Sequence, residues 1–324
     1  MKSKKNKRSF HPTATKVLLL LGLFAMSGCA SFGKGSDKNV DYNRLYELQM
    51  EKQFASIPGD EAIKQKLPEM SSKDYENLGD LHLQKGNLNM AFVQYEKALQ
   101  CDPQNSDIHY KKGLTLLSGG LNQDAVKEFD RVIEMEPGYA PAYLGNGLAY
   151  FQMQDHKKSE AYLTKSLELD PTLWKAHNQL GRIYDSRKDY DRAASEYSRA
   201  IYLNPVDGSL YNNLGVSYSM AGNYESAVKS FYQALENNYR TQKVYNNLGF
   251  ALAQTEKYDL AFDAFRKAGN LSSAYNNLGC VFLAQRQFEK AIKCFEKAIE
   301  LDPGFYAKAN ENLSRAKVGL KYTR

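Results

Sequence analysis

The sequence predicts an all-α fold: a right-handed solenoid of about seven helix pairs with capping helices at both ends. Two observations carry this. A skeleton centred on Leu210–Tyr–Asn–Asn–Leu–Gly–Val–Ser–Tyr218 returns when the frame is moved by 34 residues in either direction. Within it, Tyr211, Leu214, Gly215 and Tyr218 share one helical face, and Ala227, Phe231 and Ala234 share the face of a second helix. Self-similarity at a fixed period of this length marks stacked supersecondary units, each hiding its apolar face only against its neighbours.

Taken in order, residues 1–28 stand apart from the fold. Lys2, Lys4, Lys5, Lys7, Arg8 and Lys16 precede the apolar run Val17–Met26, which is too short to span a membrane comfortably. Ser27–Gly28–Cys29 follows at once. An uncleaved N-terminal anchor with an incidental cysteine is the alternative to a processed leader. Residues 29–40 read as a flexible tether. Asp41 is placed to cap a helix running to about Phe54, and a second short helix is expected between Asp60 and Pro68, so residues 41–71 form an N-terminal helical cap.

The units then follow at 72–105, 106–139, 140–173, 174–207, 208–241, 242–271 and 272–305. Their first helices carry Gly79, Gly113, Gly147, Gly181, Gly215, Gly249 and Gly279. Their second helices carry a small residue (Ala91, Ala125, Ser159, Ala193, Ala227, Ala261, Ala291) and, four positions on, a bulky one: Tyr95, Phe129, Leu163, Tyr197, Phe231, Phe265, Phe295. The pattern predicts that glycine faces alanine where the two helices touch, with the bulky residues interlocking beside them. Pro103, Pro137, Pro171, Pro205 and Pro303 close most units; Tyr239 stands in for the fifth proline. Lys112 and Asn146 replace the usual leucine before the glycine. The sixth unit is four residues short, close to one helical turn, which predicts a shortened second helix and a local change of curvature. Gly86, Gly120 and Gly222 are expected as left-handed residues ending first helices. Residues 306–324, with Ala309, Leu313, Ala316 and Leu320 at helical spacing, read as a C-terminal capping helix.

Tyr–x–x–Leu–Gly–x–x–Tyr followed by alanine, an aromatic, alanine and proline resembles the tetratricopeptide repeat. The resemblance implies a protein-binding scaffold whose concave surface is lined by first helices. The order of basic residues, apolar run, small residues and Cys29 resembles a bacterial lipoprotein signal. It implies that Cys29 is lipidated, and Ala30 after it implies an outer-membrane protein facing the periplasm. Leader, tether and repeats together look like the lipoproteins of pilus assembly, of the type IV pilotin and tight-adherence kinds. A scaffold for exopolysaccharide export or cell-wall enzymes, and a recruiting subunit of an envelope enzyme, remain alternatives.

Charge excludes one class of partner. The formal net charge is +6, and all six excess basic residues lie in 1–28, leaving 37 basic against 37 acidic residues beyond it. A neutral chain of this kind gives no argument for nucleic acid. No catalytic constellation, metal-ligand spacing or phosphate loop is present, and no cofactor is expected. His82 and His177 occupy slots usually aromatic or apolar and are expected to be packed and hydrogen-bonded. Cys101, Cys280 and Cys294 are expected to be unpaired.

The candidate site is the face of the first helices opposite the Tyr–Leu–Gly–Tyr side. In units four to seven it presents Asn178 and Arg182, then Asn212 and Val216, Asn246 and Phe250, and Asn276 and Leu283, edged by Asn213, Asn247 and Asn277. Amides donate and accept at once, so such a row can hold the backbone of an extended peptide or a helix from an envelope protein, with apolar pockets beside it. The same asparagines can instead serve packing between repeats. A carboxylate clamp of the kind found in chaperone-tail-binding tetratricopeptide domains needs Lys at position 5 and Asn at position 9 of one unit. No unit has them, and the first has Glu76 and Asp80 there.

Overall fold

The computed structural model describes residues 70–302, 304 and 306–322. The leader, Cys29, the tether and all of the expected N-terminal cap except Met70 and Ser71 lie outside these residues.

The described chain is a succession of antiparallel helix pairs. The pairs are α1 Ser72–Gln84 with α2 Leu88–Cys101, α3 Ser106–Ser118 with α4 Asn122–Met135, and α5 Ala140–Gln152 with α6 His156–Leu169. They continue with α7 Trp174–Ser186 and α8 Tyr190–Leu203, α9 Gly208–Met220 and α10 Tyr224–Glu236, and α11 Gln242–Gln254 and α12 Tyr258–Ala268. The pair α13 Leu271–Ala284 and α14 Phe288–Leu301 and a last helix, α15 Tyr306–Lys321, complete the array. The two helices of each pair pack on each other, and each second helix packs on the first helix of the next unit. From α3 to α15 the odd-numbered helices also touch one another in succession, whereas the even-numbered ones have no comparable mutual contact among the described residues. The odd row is therefore the shorter path through the array, and its free face is the inner wall of the curve.

What holds each pair differs in detail from the sequence expectation. The glycine of the first helix meets the bulky side chain itself rather than the alanine. A methyl group built on Gly215 would lie 2.7 Å from Phe231 Cε1, and one on Gly181 would lie 2.7 Å from Tyr197 Cε1. Gly79 with Tyr95, Gly113 with Phe129, Gly249 with Phe265 and Gly279 with Phe295 repeat the contact. The rings fill the space a Cβ would need, and Tyr95, Phe129, Tyr197, Phe231 and Phe295 are fully buried. Unit three uses Leu163 against Gly147, and its Ser159, standing where the others have alanine, donates to the Gly147 carbonyl at 2.7 Å.

The turn after each first helix holds one left-handed residue. Gly86, Gly120 and Gly222 have φ of 73°, 78° and 81°, and Gln154, Lys188, Glu256 and Arg286 adopt the same region at the equivalent positions. The conformation is thus imposed by packing, with glycine only easing it. In the short sixth unit α12 has 11 residues against 13 or 14 elsewhere in the pairs, and only Gly269 and Asn270 separate it from α13. Asn270 caps α13 in a reciprocal box with Ser273. Tyr239, in place of a closing proline, packs where a Cβ on Gly208 would lie 2.5 Å from its own Cβ.

The two ends differ. At the C-terminal end Ala309, Leu313 and Ala316 of α15 are buried against the last pair. At the N-terminal end Leu81 is 43% exposed, although Thr115, Ala149, Ile183, Ser217, Ala251 and Val281, its counterparts in later units, are all buried beneath a preceding unit.

Gly215→Leu should cost about 1–3 kcal/mol or more by overpacking, because a side chain there displaces the Phe231 ring. Gly222→Ala, with nothing within 4 Å of the added methyl, should cost roughly 1 kcal/mol through its positive φ alone. Thermal melts of the two variants check the difference, and equal melting points would contradict the ring contact.

Candidate functional site

The predicted site residues sit on α7 (Asn178, Arg182), α9 (Asn212, Asn213, Val216), α11 (Asn246, Asn247, Phe250) and α13 (Asn276, Asn277, Leu283). These helices lie side by side, so the inner wall brings the residues together in rows. Cys29 falls outside the described residues.

The asparagines form a ladder that crosses from helix to helix. Asn213 Nδ2 donates to Asn178 Oδ1 at 3.0 Å, and Asn247 Nδ2 donates to Asn212 Oδ1 at 3.3 Å. Asn212 Nδ2 reaches Asn213 Oδ1 at 3.4 Å, which joins these bonds into one run from α11 to α7. A second run repeats the pattern: Asn277 donates to Asn246 at 3.1 Å, Asn276 to Asn277 at 3.5 Å, and Asn312 of α15 to Asn276 at 3.3 Å. Asn212 and Asn276 are buried. The second residue of each Asn–Asn pair reaches back to the asparagine at the fifth position of the preceding unit, so from α7 onward the ladder links each unit to the last. A primary amide has two N–H donors and an oxygen with two lone pairs. Asn212 and Asn276, expected to line the groove, are therefore closed off inside the ladder, whereas the half-buried Asn178, Asn213, Asn246, Asn247 and Asn277 keep capacity for a further partner.

Beside the ladder runs a mixed row of Arg182, Val216, Phe250 and Cys280. Arg182 is held on two sides: Nη1 donates to Gln179 Oε1 at 3.0 Å, and the guanidinium lies 4.5 Å from the centroid of the Phe151 ring. Val216, Phe250, Cys280 and Leu283 are half-buried and pack on the core from above. Phe250 also meets the Tyr224 ring edge-on at 6.2 Å. Asp185, one turn beyond Arg182, does not face a ligand. Its carboxylate is buried and accepts from the Tyr197 phenol at 2.8 Å, and burial pushes its pKa up from the ordinary carboxylate value.

Units one and two build a different wall. Lys111 Nζ lies 2.6 Å from Glu76 and 2.7 Å from Asp80, and Lys73 lies 2.8 Å from Glu76, so the two acids at positions 5 and 9 of the first unit are matched by two lysines. The buried Glu128 lies between His109 at 2.6 Å and Lys112 at 3.1 Å, and Lys112 also pairs with Glu96. Burial alone would raise the Glu128 pKa; the His109 hydrogen bond and the Lys112 charge outweigh it and hold the carboxyl below its usual value.

His177 is buried and bonded as expected, with Nδ1 2.7 Å from Glu196 and Nε2 3.4 Å from the Pro171 carbonyl. His109 repeats this, and at the same register Tyr143 and Tyr211 donate to the Pro137 and Pro205 carbonyls at 3.1 and 3.0 Å. These histidines thus replace a tyrosine that ties each first helix to the turn before it. His82 differs, since its Nδ1 is buried with no partner among the described residues. Cys101, Cys280 and Cys294 form no disulfide among the described residues, Cys280 Sγ accepts from Asn312 at 3.5 Å, and burial raises the Cys294 thiol to about 11. Among the described residues no group of three or more His, Cys, Asp or Glu is placed to hold a metal ion.

Comparison with known proteins settles the family. Models described as tetratricopeptide repeat match residues 110–173, 174–205, 212–274 and 272–305, and one described as TPR repeat matches 79–120. This chain belongs to the tetratricopeptide-repeat proteins. The tetratricopeptide repeat and J domain-containing co-chaperone DNJ1 of Fusarium oxysporum f. sp. lycopersici is 35% identical over 63 residues, covering 19% of this chain and 12% of that protein. The chain therefore matches only a small part of this curated relative. A tetratricopeptide repeat protein from Parabacteroides merdae has a crystal structure similar over 76% of this chain and 98% of its own, with TM-score 0.51 and 18% identity. Pseudomonas aeruginosa pilF is similar over 61% of this chain and 92% of its own, with TM-score 0.50 and 20% identity. At these identities both likenesses concern the fold alone.

Asn213→Ala removes two ladder bonds at once and should destabilise the array by about 1–3 kcal/mol, since one neutral hydrogen bond contributes roughly 0.5–1.5 kcal/mol net. Chemical denaturation of the variant checks this. An unchanged midpoint would mean the amides do not couple the units.

Proposed function

We propose that this protein is a non-catalytic, lipid-anchored scaffold of a bacterial envelope. In this reading it binds an extended segment or helix of another envelope protein along the inner wall of α7, α9, α11 and α13, in the assembly of a pilus or secretion complex. The observation that carries the binding site is the row of half-buried apolar side chains, Val216, Phe250 and Leu283, lying beside amides that are ordered by each other. A polypeptide laid there finds fixed donors and acceptors for its backbone and an aromatic surface for one side chain, at little ordering cost to the wall. The amides cross-link the units first and meet a ligand only with what capacity remains, so affinity rests chiefly on Phe250. The envelope address rests on the basic, apolar and small-residue order before Cys29. The pilus or secretion role rests on the resemblance of the whole layout to pilus-assembly lipoproteins.

Phe250→Ala should weaken capture of the cognate partner from envelope extract by about 2 kcal/mol or more, as for a central aromatic anchor. Its helical circular dichroism should stay intact. An unchanged set of captured proteins from a folded variant would move the site away from the inner wall.

Cys29→Ser should move the protein from the membrane fraction to the soluble fraction and abolish incorporation of labelled fatty acid. Stable anchoring needs at least two chains, and both are expected at that residue. A variant that stays membrane-bound, with an unlabelled wild type, would remove the lipid anchor from the proposal.

A further inference from the structure

Charge is distributed unevenly between the two walls of the array. On α7, α9, α11 and α13 the only charged residues are Lys175, Arg182, Asp185 and Lys243. Asp185 is buried against Tyr197, so every exposed charge on these four helices is positive. None of the three cations has a carboxylate within ion-pair distance among the described residues, although acids are abundant on the outer helices. There the exposed pairs Lys127–Asp124, Lys165–Glu168 and Lys297–Glu300 sit at 2.8, 3.0 and 2.8 Å. The first two units show that this chain can pair the charges of its inner wall when it carries the residues to do so, as Lys111 and Lys73 do with Glu76 and Asp80.

The three cations flank the apolar row. Arg182 begins it on α7, and Lys243 lies two turns before Phe250 on α11. Arg182 is pre-set, stacked on Phe151 and tethered to Gln179. A guanidinium held in this way loses little freedom when its planar fork meets a carboxylate. Building on the groove reading above, we infer that the segment bound between α7 and α13 is acidic, with Asp or Glu side chains on Arg182 and Lys243 flanking an apolar or aromatic residue on Phe250. A polyphosphate backbone is a poorer fit, because three separated cations around an apolar floor offer few phosphate contacts and leave Val216 and Phe250 unused. Complementary charge would also choose the partner and speed its approach, since a basic segment would meet unpaired like charges on the same wall.

The test is selection of a random peptide library on the full-length protein, keeping only peptides whose binding is lost with Phe250→Ala. These should be enriched in Asp and Glu and depleted in Lys and Arg. A representative peptide should bind about two- to fivefold more weakly to each of Arg182→Gln and Lys243→Gln, the range of an exposed ion pair. That loss should shrink as salt is raised. Lys229→Gln on the outer wall should leave binding unchanged. Phe250-dependent peptides without acidic bias, or indifferent to both inner-wall substitutions, would overturn the inference and leave the groove reading standing. Displacement of the selected peptides by oligothymidylate as readily as by free acidic peptide would reassign the cations to nucleic acid and also overturn it. Recovery of no Phe250-dependent peptide would remove the groove reading itself.

Discussion

The structure depends on one repeated contact, a ring edge laid on the bare backbone of a glycine. Each first helix is brought against its partner at a glycine, and a buried side chain on the second helix occupies the volume a Cβ would claim. That contact sets the distance and rotation of the pair, so it also decides which face of the first helix is left free. Phe129 shows how far the demand extends. It lies against Gly113 of its own unit and also against Gly145 of the next, where a Cβ would sit 2.6 Å from its ring. Packing this close tolerates no compromise in volume, which is why a unit that loses its ring, as unit three does with Leu163, gains a hydrogen bond from Ser159 at the same place.

The pairs were legible in the sequence because local periodicity reports local packing. Glycine, small and bulky positions recur at fixed offsets, and a helix face follows directly from offsets of three and four. Their exact partners were not equally legible: the pattern placed alanine opposite glycine, and the ring is there instead. Offsets within one helix do not say how far the second helix slides along the first. The turns show the complementary case. Glycine marks three of the left-handed positions, while Gln154, Lys188, Glu256 and Arg286 adopt the same conformation without any sequence signal.

At the candidate site the residues were legible and their bonds were not. The asparagines stand out as pairs at one register, yet Asn213 meets Asn178 and Asn247 meets Asn212, partners 35 residues apart. That offset is one more than the repeat, because the donor stands one position later in its unit than the acceptor does in the preceding one. Where the sixth unit is shortened, the same contact spans 31 residues between Asn277 and Asn246. The bond therefore follows the geometry of the stack and not the count of residues. The contact of Arg182 with Phe151 and the identity of the His177 partners, Glu196 and Pro171, escaped sequence reading for the same reason, since each joins different helices or a helix and a loop.

The division of labour between the two walls follows from these constraints. Exposed pairs such as Lys127–Asp124, Arg266–Asp263 and Lys297–Glu300 lie along the second helices. Exposed pairs of this sort contribute only about 0–1 kcal/mol each to stability, so their effect is mainly to keep the outer wall solvated. With solubility supplied there, the inner helices from α7 onward can carry amides, apolar side chains and few charges. An apolar row on a convex surface would invite aggregation, whereas on the inner wall it is flanked by successive helices. The amide ladder completes the arrangement. Bonds between units resist changes in their spacing, and a wall of fixed spacing would meet the extended chain proposed for it with its contacts already in register, so the ladder that couples the units is also what the proposed binding surface needs.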